Sequence, residues 1–311
     1  MTARDLFVGA DGRPRWGWRL VIFVVAAAVA FSLLGALVAG LASLLFALTA
    51  ERLLGLGEWA LTLSLLAATA FTLGVVDRRG WDHVFMGRGA GRPGRLALGF
   101  LLGALAIGVP SGLLLAARWL RVEPWVQGSW SGAAWSLAVT LAPAAFWEEL
   151  MFRGYPFAVL RERFGPRLAL GVTSLVFGVV HAQNPGAAPL PVLMVVVAGV
   201  FLGGVMLATR SLYAAWGAHF AWNWTMAAIF HMAVSGAGFP TPNYRVVEVG
   251  PDWLTGGSWG TEGGIGALLG MSAGLWYLFA RPGRRQAALA RDAGDTGNTL
   301  ARPSGREESR G

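Results

Sequence analysis

The chain has 311 residues, of which 55% are hydrophobic and only 14% are charged. A soluble domain carries about a quarter charged residues, so this composition excludes an ordinary soluble enzyme, and the apolar content excludes a disordered chain. All 25 basic residues are Arg, the net charge is +8 and Cys is absent, which excludes disulfides, thiolate metal sites and thiol nucleophiles. An Arg excess of this kind is typical of membrane-protein loops near anionic lipid. We therefore predict a lipid bilayer as a partner and no nucleic acid.

Eight apolar segments are candidates for transmembrane helices, which need about 20 mostly apolar residues each. In chain order they are 20–50, 57–76, 96–117, 131–152, 168–182, 190–209, 212–234 and 263–280. The predicted fold class is therefore an all-α polytopic membrane protein with about eight transmembrane helices.

The Arg residues predict the orientation of these helices, because cytoplasmic loops of membrane proteins are enriched in Arg and Lys. With both termini in the cytoplasm, 21 of the 25 Arg residues lie on the inner side and 4 on the outer side. We predict both termini cytoplasmic and a multi-pass protein of the cell inner (plasma) membrane.

The spans divide the chain into six predicted parts. They are a cytoplasmic N-terminal segment (1–19), accessory transmembrane helices (20–130), a transmembrane core (131–235), an outer loop (236–262), a last transmembrane helix (263–280) and a disordered cytoplasmic tail (281–311). The first two spans, the outer loop and the tail show no pattern from which a function can be inferred.

Polar residues inside three of the spans are the candidate functional residues, since ionisable groups in hydrocarbon are costly. The fourth span ends FWEELMFRG, the fifth ends FGVVHAQN and the seventh begins WGAHFAWNW. The first three spans are taken to contain no intramembrane charge. The candidates are Glu148, Glu149, Arg153, Phe177, His181, His219 and Asn223.

Helical spacing gives the two Glu residues different environments. Glu149 and Arg153 are four residues apart with Glu first, the favourable order for an ion pair on a helix. Glu148 is turned about 100° from Glu149, so it cannot share that Arg equally and faces elsewhere.

The three spans place their ionisable groups at a similar depth. Counting about 1.5 Å per helical residue from each basic flank, Glu148, His181 and His219 lie roughly 13 to 21 Å into a core about 30 Å thick. For Glu148 this depth assumes that the fourth helix continues past Gly154. The three side chains are therefore expected to meet.

Polar residues can also hold transmembrane helices together without taking part in chemistry. That interpretation is favoured for Asn223 alone, and a structural ion pair is favoured for the Glu–Arg pair of the fourth span. For Glu148, His181 and His219 together it is disfavoured, because an unpaired carboxylate and two imidazoles are an expensive way to hold helices.

Two kinds of chemistry suit this set of residues. In the first, a Glu acts as general base toward water, a His relays the proton, and a second His and an Asn amide stabilise an oxyanion. In the second, Glu148, His181 and His219 bind a divalent metal such as zinc. The cofactor is therefore either none or a metal. We favour the metal-free version because Glu149, held by Arg153, leaves no spare carboxylate to orient a metal-binding His.

The three motifs resemble those of the CPBP intramembrane endopeptidases, the family of CAAX-processing and bacteriocin-processing (Abi) proteases. They are Glu148-Glu149-x-x-x-Arg153, Phe177-x-x-x-His181 and His219-x-x-x-Asn223, within about residues 131 to 235. The resemblance implies an intramembrane protease that cleaves a membrane-associated protein or peptide, with a site that opens toward the cytoplasmic side. It assigns water activation to Glu148 and His181, oxyanion stabilisation to His219 and Asn223, and supporting roles to Glu149, Arg153 and Phe177.

A non-catalytic membrane protein is the alternative function. It would be a scaffold for partner helices, or a proton-coupled transporter that uses the same Glu/His cluster. Transport predicts a polar path across the bilayer, whereas a scaffold predicts that Glu148→Gln is tolerated.

Overall fold

The computed structural model describes residues 7–9, 11–45, 50–125, 129–239 and 243–280, and it is 75% helical with little sheet. The elements are α1 (Trp16–Leu45), α2 (Ala50–Phe71, continued by the π-helical turn Thr72–Asp77), α3 (Pro93–Ala116), β1 (Leu120–Pro124), α4 (Trp130–Arg153), α5 (Tyr155–Phe164), α6 (Pro166–His181), α7 (Pro189–Thr209), α8 (Leu212–Trp224, continued by the π-helical turn Thr225–Ile229), β2 (Tyr244–Glu248), α9 (Asp252–Thr255) and α10 (Ala267–Phe279). The predicted tail, 281–311, lies outside the described residues.

The helical membrane architecture is confirmed, since each of the eight predicted apolar segments contains a helix. Within the described residues, four helices are long and apolar enough to cross a membrane: Trp16–Gly40, Gly55–Asp77, Pro93–Ala116 and Pro189–Thr209. The helices α6 and α10 are apolar but shorter.

One end of the bundle, the Arg-rich end, consists of residues 13–19, 77–95, 155–165 and 210–212. Arg19 at the start of α1 pairs with buried Asp77, and it also donates to Glu162 of α5 at 2.6 Å. Arg79 donates to the other oxygen of Glu162 at 2.6 Å. Burial alone would raise the pKa of Glu162, but its hydrogen bond and charge attraction to Arg19 hold it below the ordinary value. This network fastens α1 and the end of α2 to α5, the short helix between α4 and α6.

The opposite end, the hairpin end, consists of residues 117–125, 182–188, 235–239 and 243–263. There β1 and β2 form an antiparallel pair in which Leu120 faces Glu248, a small sheet that the all-α prediction did not include. Trp259 donates its indole N–H to the Pro185 carbonyl at 2.9 Å, so the outer loop is bound to the turn that follows α6.

The fourth predicted helix does not continue past Gly154, contrary to the assumption in the depth argument. Gly154 separates α4 from α5 with φ −81° and ψ −126°, and a β-carbon there would overlap the Leu150 carbonyl. Pro156 then lies in the first turn of α5, where a missing N–H has no cost. Glu148 is therefore only five residues, about 7.5 Å, from the end of its helix.

Close packing of α3 against α8 positions the seventh predicted span. A β-carbon at Gly99 would overlap the carbonyl of Ala214, and one at Gly103 would overlap the carbonyl of Ala218. Small residues four apart on both helices allow this approach of two backbones, as in other transmembrane pairs. The neighbour of Ala218 is His219, so this contact fixes the helix that carries it.

Candidate active site

A fully buried ion pair lies at the base of the site. Arg153 donates to Glu149 Oε1 at 3.0 Å, and neither side chain is exposed. A second guanidinium N–H of Arg153 donates to the carbonyl of Gly199 in α7 at 3.2 Å, and the group lies 4.2 Å from the ring centre of Phe177. This one cation therefore joins α4, α6 and α7.

The same carboxylate also holds an imidazole. Nδ1 of His219 lies 2.9 Å from Glu149 Oε1, the oxygen that already accepts from Arg153. Because the oxygen of an ionised carboxylate can only accept, Nδ1 of His219 is the donor, and Nε2 points away from Glu149. The argument that Glu149 cannot also orient a His was therefore wrong: one oxygen serves both partners.

Glu148 lies between the two candidate imidazoles. Its Oε2 is 3.6 Å from His219 Nε2 and 4.0 Å from His181 Nε2, beyond hydrogen-bonding distance from both. This oxygen is buried and has no hydrogen-bond partner among the described residues. Three polar atoms from three helices thus face one small region without bonding to each other.

His181 is held by its own helix. Its Nδ1 lies 2.7 Å from the carbonyl of Phe177, one turn earlier, so Nδ1–H donates and Nε2 of the neutral ring is an acceptor. The Phe177 ring centre lies 4.6 Å from that of His181 and 5.9 Å from that of His219. Phe177 therefore packs against both imidazoles and against the Arg153 cation.

A cavity of about 360 Å³, including its open mouth, adjoins these residues. Its polar lining includes His181, His219, Asn223, Ser235 and Glu262. The remaining lining is mostly apolar and consists of Phe177, Val195, Ala198, Phe201, Leu202 and Trp222. The predicted residues of the fifth and seventh spans therefore share one cavity, with Glu148 beside its two imidazoles.

Comparison with known families agrees with this arrangement. Residues 130–225 match the family described as type II CAAX prenyl endopeptidase Rce1-like. The predicted resemblance to CPBP proteases is confirmed. This is a family of proteases that act on membrane-associated proteins, and the chain is accordingly a multi-pass membrane protein with a protease-type segment. No curated protein and no solved structure matches the chain.

The cavity extends from the Rce1-like segment toward the hairpin end, since Ser235 and Glu262 line it. The hairpin end carries few Arg residues, so the Arg distribution places it outside. The resemblance, in contrast, implied a site that opens toward the cytoplasm. In this structure the two sequence-based expectations are incompatible.

Two residues of the outer loop adjoin the candidate site, although no sequence pattern indicates it. Trp259 is fully buried in a cluster with Phe152, Phe177 and Val195, and Glu262 lines the cavity. Both lie beyond the Rce1-like segment, in a Gly-rich loop without helical periodicity. The outer loop, in which the sequence shows no functional pattern, therefore supplies part of the cavity wall.

A third carboxylate lies in an early span. Glu58 of α2 accepts a hydrogen bond at 2.6 Å from the indole of Trp147, the residue before Glu148. The interpretation that the first three spans contain no intramembrane charge was therefore wrong, because Glu58 lies within the candidate span Gly55–Asp77.

A metal site is the second kind of chemistry that the sequence allows for these residues. Tetrahedral coordination with bonds of about 2.1 Å sets ligand atoms about 3.4 Å apart. The Glu148 oxygen is 3.6 and 4.0 Å from the two Nε2 atoms, and among the described residues no three His, Asp or Glu side chains are arranged to hold a metal ion. As placed, the residues do not fit a metal centre.

Proposed function

We propose that the protein is an intramembrane endopeptidase in which Glu148 and His181 activate water and His219 and Asn223 stabilise the oxyanion. The observation that supports this most directly is the buried, unbonded Oε2 of Glu148 facing two Nε2 atoms. A carboxylate in this position is a suitable general base, since water is the remaining source of hydrogen bonds for it.

The hydrogen bonds put a proton on Nδ1 of each imidazole, and the role proposed for each Nε2 then sets the charge of its ring. His181 donates a hydrogen bond from Nδ1 to a carbonyl, so Nε2 of the neutral ring can accept a hydrogen bond from the attacking water. His219 donates a hydrogen bond from Nδ1 to Glu149, so it can also donate from Nε2 only as an imidazolium. Glu148, Glu149, Arg153 and that imidazolium then sum to zero charge, which favours the assignment in a buried site.

The proposed reaction is balanced in protons. Glu148 takes a proton from water as the oxygen attacks the peptide carbonyl carbon. The oxyanion that forms accepts hydrogen bonds from His219 Nε2 and the Asn223 amide. Protonated Glu148 then gives its proton to the leaving nitrogen as the C–N bond breaks.

The test is cleavage by the purified protein in proteoliposomes. The probes are a farnesylated peptide ending in a CAAX sequence, the same peptide without the prenyl group, and single-span model peptides, and products are read by mass spectrometry. Glu148→Gln should abolish cleavage while the protein stays folded. Glu123→Gln, a change in a half-exposed carboxylate on β1, should not. Cleavage by Glu148→Gln at the wild-type rate would refute the assignment and favour a scaffold.

We further propose that the protein crosses the inner (plasma) membrane eight times and that both termini lie in the cytoplasm. The eight spans are α1, α2, α3, α4, α6, α7, α8 and α10. The supporting observation is that the described connections, from α2 to α10, alternate between the Arg-rich end and the hairpin end. The six-part division of the chain stands with them, except that the outer loop, 236–262, joins the protease-like core as part of the site. The cavity then faces the outer side.

The absence of native Cys allows a direct test of this orientation. Gly89→Cys at the Arg-rich end and Gly238→Cys at the hairpin end are both exposed. In intact cells a membrane-impermeant maleimide should label position 238 and not position 89. The reverse pattern would place the cavity on the cytoplasmic side.

A further inference from the structure

Glu262 is a buried carboxylate in the wall of the candidate active site. It lies in the 3-10 turn Thr261–Gly263, is 7% exposed and lines the same cavity as His181, His219 and Asn223. The proposed reaction does not use it.

Three donors hold this carboxylate in place. Oε2 accepts from the indole of Trp222 at 2.6 Å, and Oε1 accepts from the backbone N–H and the hydroxyl of Ser235. An ionised carboxylate has about four acceptor positions, so about one remains for a group in the cavity.

No cation in the described part of the chain forms an ion pair with Glu262, whereas Glu149 in the same site is paired with Arg153. A buried charge without a counter-ion is costly, and hydrogen bonds to neutral donors offset that cost only partly. The cavity therefore presents one negative group with an open acceptor position to whatever enters it.

We propose that Glu262 forms a subsite for a cationic side chain of the substrate, Lys or Arg, close to the bond that is cut. The proposal rests on the proposed protease function. The apolar wall formed by Val195, Phe201 and Leu202 suits the methylene stem of a Lys or Arg side chain.

The position of Glu262 limits which substrate residue carries the cation. Its partner Trp222 follows His219 by three residues, about 4.5 Å along α8. An extended peptide advances about 3.4 Å per residue, so the cation belongs to a residue within about three positions of the cleaved bond. The subsite lies on the side of the site nearer the hairpin end.

The experiment uses quenched single-span model peptides in proteoliposomes. Each carries Lys, or acetyl-Lys, at one of three positions on either side of the cleaved bond, so that the two peptides differ by one charge and one acetyl group. Wild type should cleave the best Lys peptide with kcat/KM at least about tenfold above its acetyl-Lys counterpart, as expected for one charge-assisted hydrogen bond. Equal values at all positions would overturn the proposal without any variant.

The variant Glu262→Gln keeps an oxygen to accept from Trp222 but removes the charge. With it, the Lys to acetyl-Lys ratio should fall to about one. Glu248→Gln, which changes another outer-loop carboxylate that does not line this cavity, should keep the wild-type ratio. A ratio unchanged by Glu262→Gln, or an equal loss for both peptides, would refute the subsite and leave Glu262 a structural residue.

Binding separates failure of this proposal from failure of the proposed function. Fluorescence anisotropy of the labelled Lys and acetyl-Lys peptides is measured on Glu148→Gln and on Glu148→Gln/Glu262→Gln. Preference for Lys in the first protein and not in the second supports the subsite even if wild type cleaves nothing. Cleavage without any binding preference refutes the subsite and leaves the protease assignment in place.

Discussion

Replacement of Arg153 by Met is expected to destabilise the protein strongly, because the side chain neutralises a carboxylate that has no access to solvent. In Arg153→Met, Glu149 keeps one described donor, Nδ1 of His219, and the carbonyl of Gly199 loses its side-chain donor. Removal of one member of a buried ion pair costs about 3–5 kcal/mol, and loss of the cation above the ring of Phe177 adds about 0.5–2 kcal/mol. These contributions are not additive, so we expect about 3–5 kcal/mol in total.

The assay is reversible unfolding in mixed micelles, followed by tryptophan fluorescence. The double variant Glu149→Gln/Arg153→Met removes both charges but keeps an acceptor for His219, so it should recover most of the loss, with a coupling energy of about 2–3 kcal/mol. Arg245→Met is the matched control, because its 3.0 Å pair with Glu123 is nearly half exposed and should contribute less than about 1 kcal/mol. The reasoning is refuted if Arg153→Met costs no more than Arg245→Met, or if the double variant is no more stable than the single one.

Three further predictions concern packing, pH and metal. Gly103→Leu should push α3 away from α8 and cost about 3 kcal/mol or more, whereas Gly112→Leu on the same helix has open space and should be tolerated in the same unfolding assay. Burial raises the pKa of Glu248 to about 7, above its ordinary 4.5, so the stability tied to its protonated form is complete below about pH 4.5 and is lost as pH rises through 7. Wild type should therefore lose about 1 kcal/mol between pH 5 and 8, after solvent screening of this partly exposed group, and Glu248→Gln should not; parallel pH profiles of the two would contradict this. A strong chelator should leave cleavage intact in the folded protein, and loss of activity that stoichiometric zinc restores would reassign His181 and His219 as ligands.

The helices and the main residues of the site were predictable because they depend on local periodicity. A run of about 20 apolar residues favours a helix whatever surrounds it, and each of the eight predicted segments contains one. Likewise, the spacing of Glu149 and Arg153 places them on one face of any helix, and the ion pair follows.

The errors concern contacts between distant parts of the chain. That Glu149 also serves His219 depends on a side chain 70 residues later, which no local pattern indicates. The pairing of β1 with β2 joins strands about 120 residues apart, each of only five residues. Gly154 and Pro156 did indicate that the fourth helix is irregular. The same two residues are compatible with a kink or with a complete break, and only the packing of Gly154 against Leu150 decides between them.

The site also needs parts of the chain that lie outside the Rce1-like segment. Gly103 of α3 holds the helix that carries His219, Trp259 packs in the cluster of Phe177, and Glu262 closes the cavity wall. Each of these residues lies on a different element and supports the position of a motif residue or the wall of the cavity. Because the motif residues are polar groups in an apolar bundle, a displacement of about 1 Å by any of these supports would separate atoms that now lie 3.6 and 4.0 Å apart. The geometry of the candidate site is therefore a property of the folded bundle with its outer loop, and the three motifs supply only its chemistry.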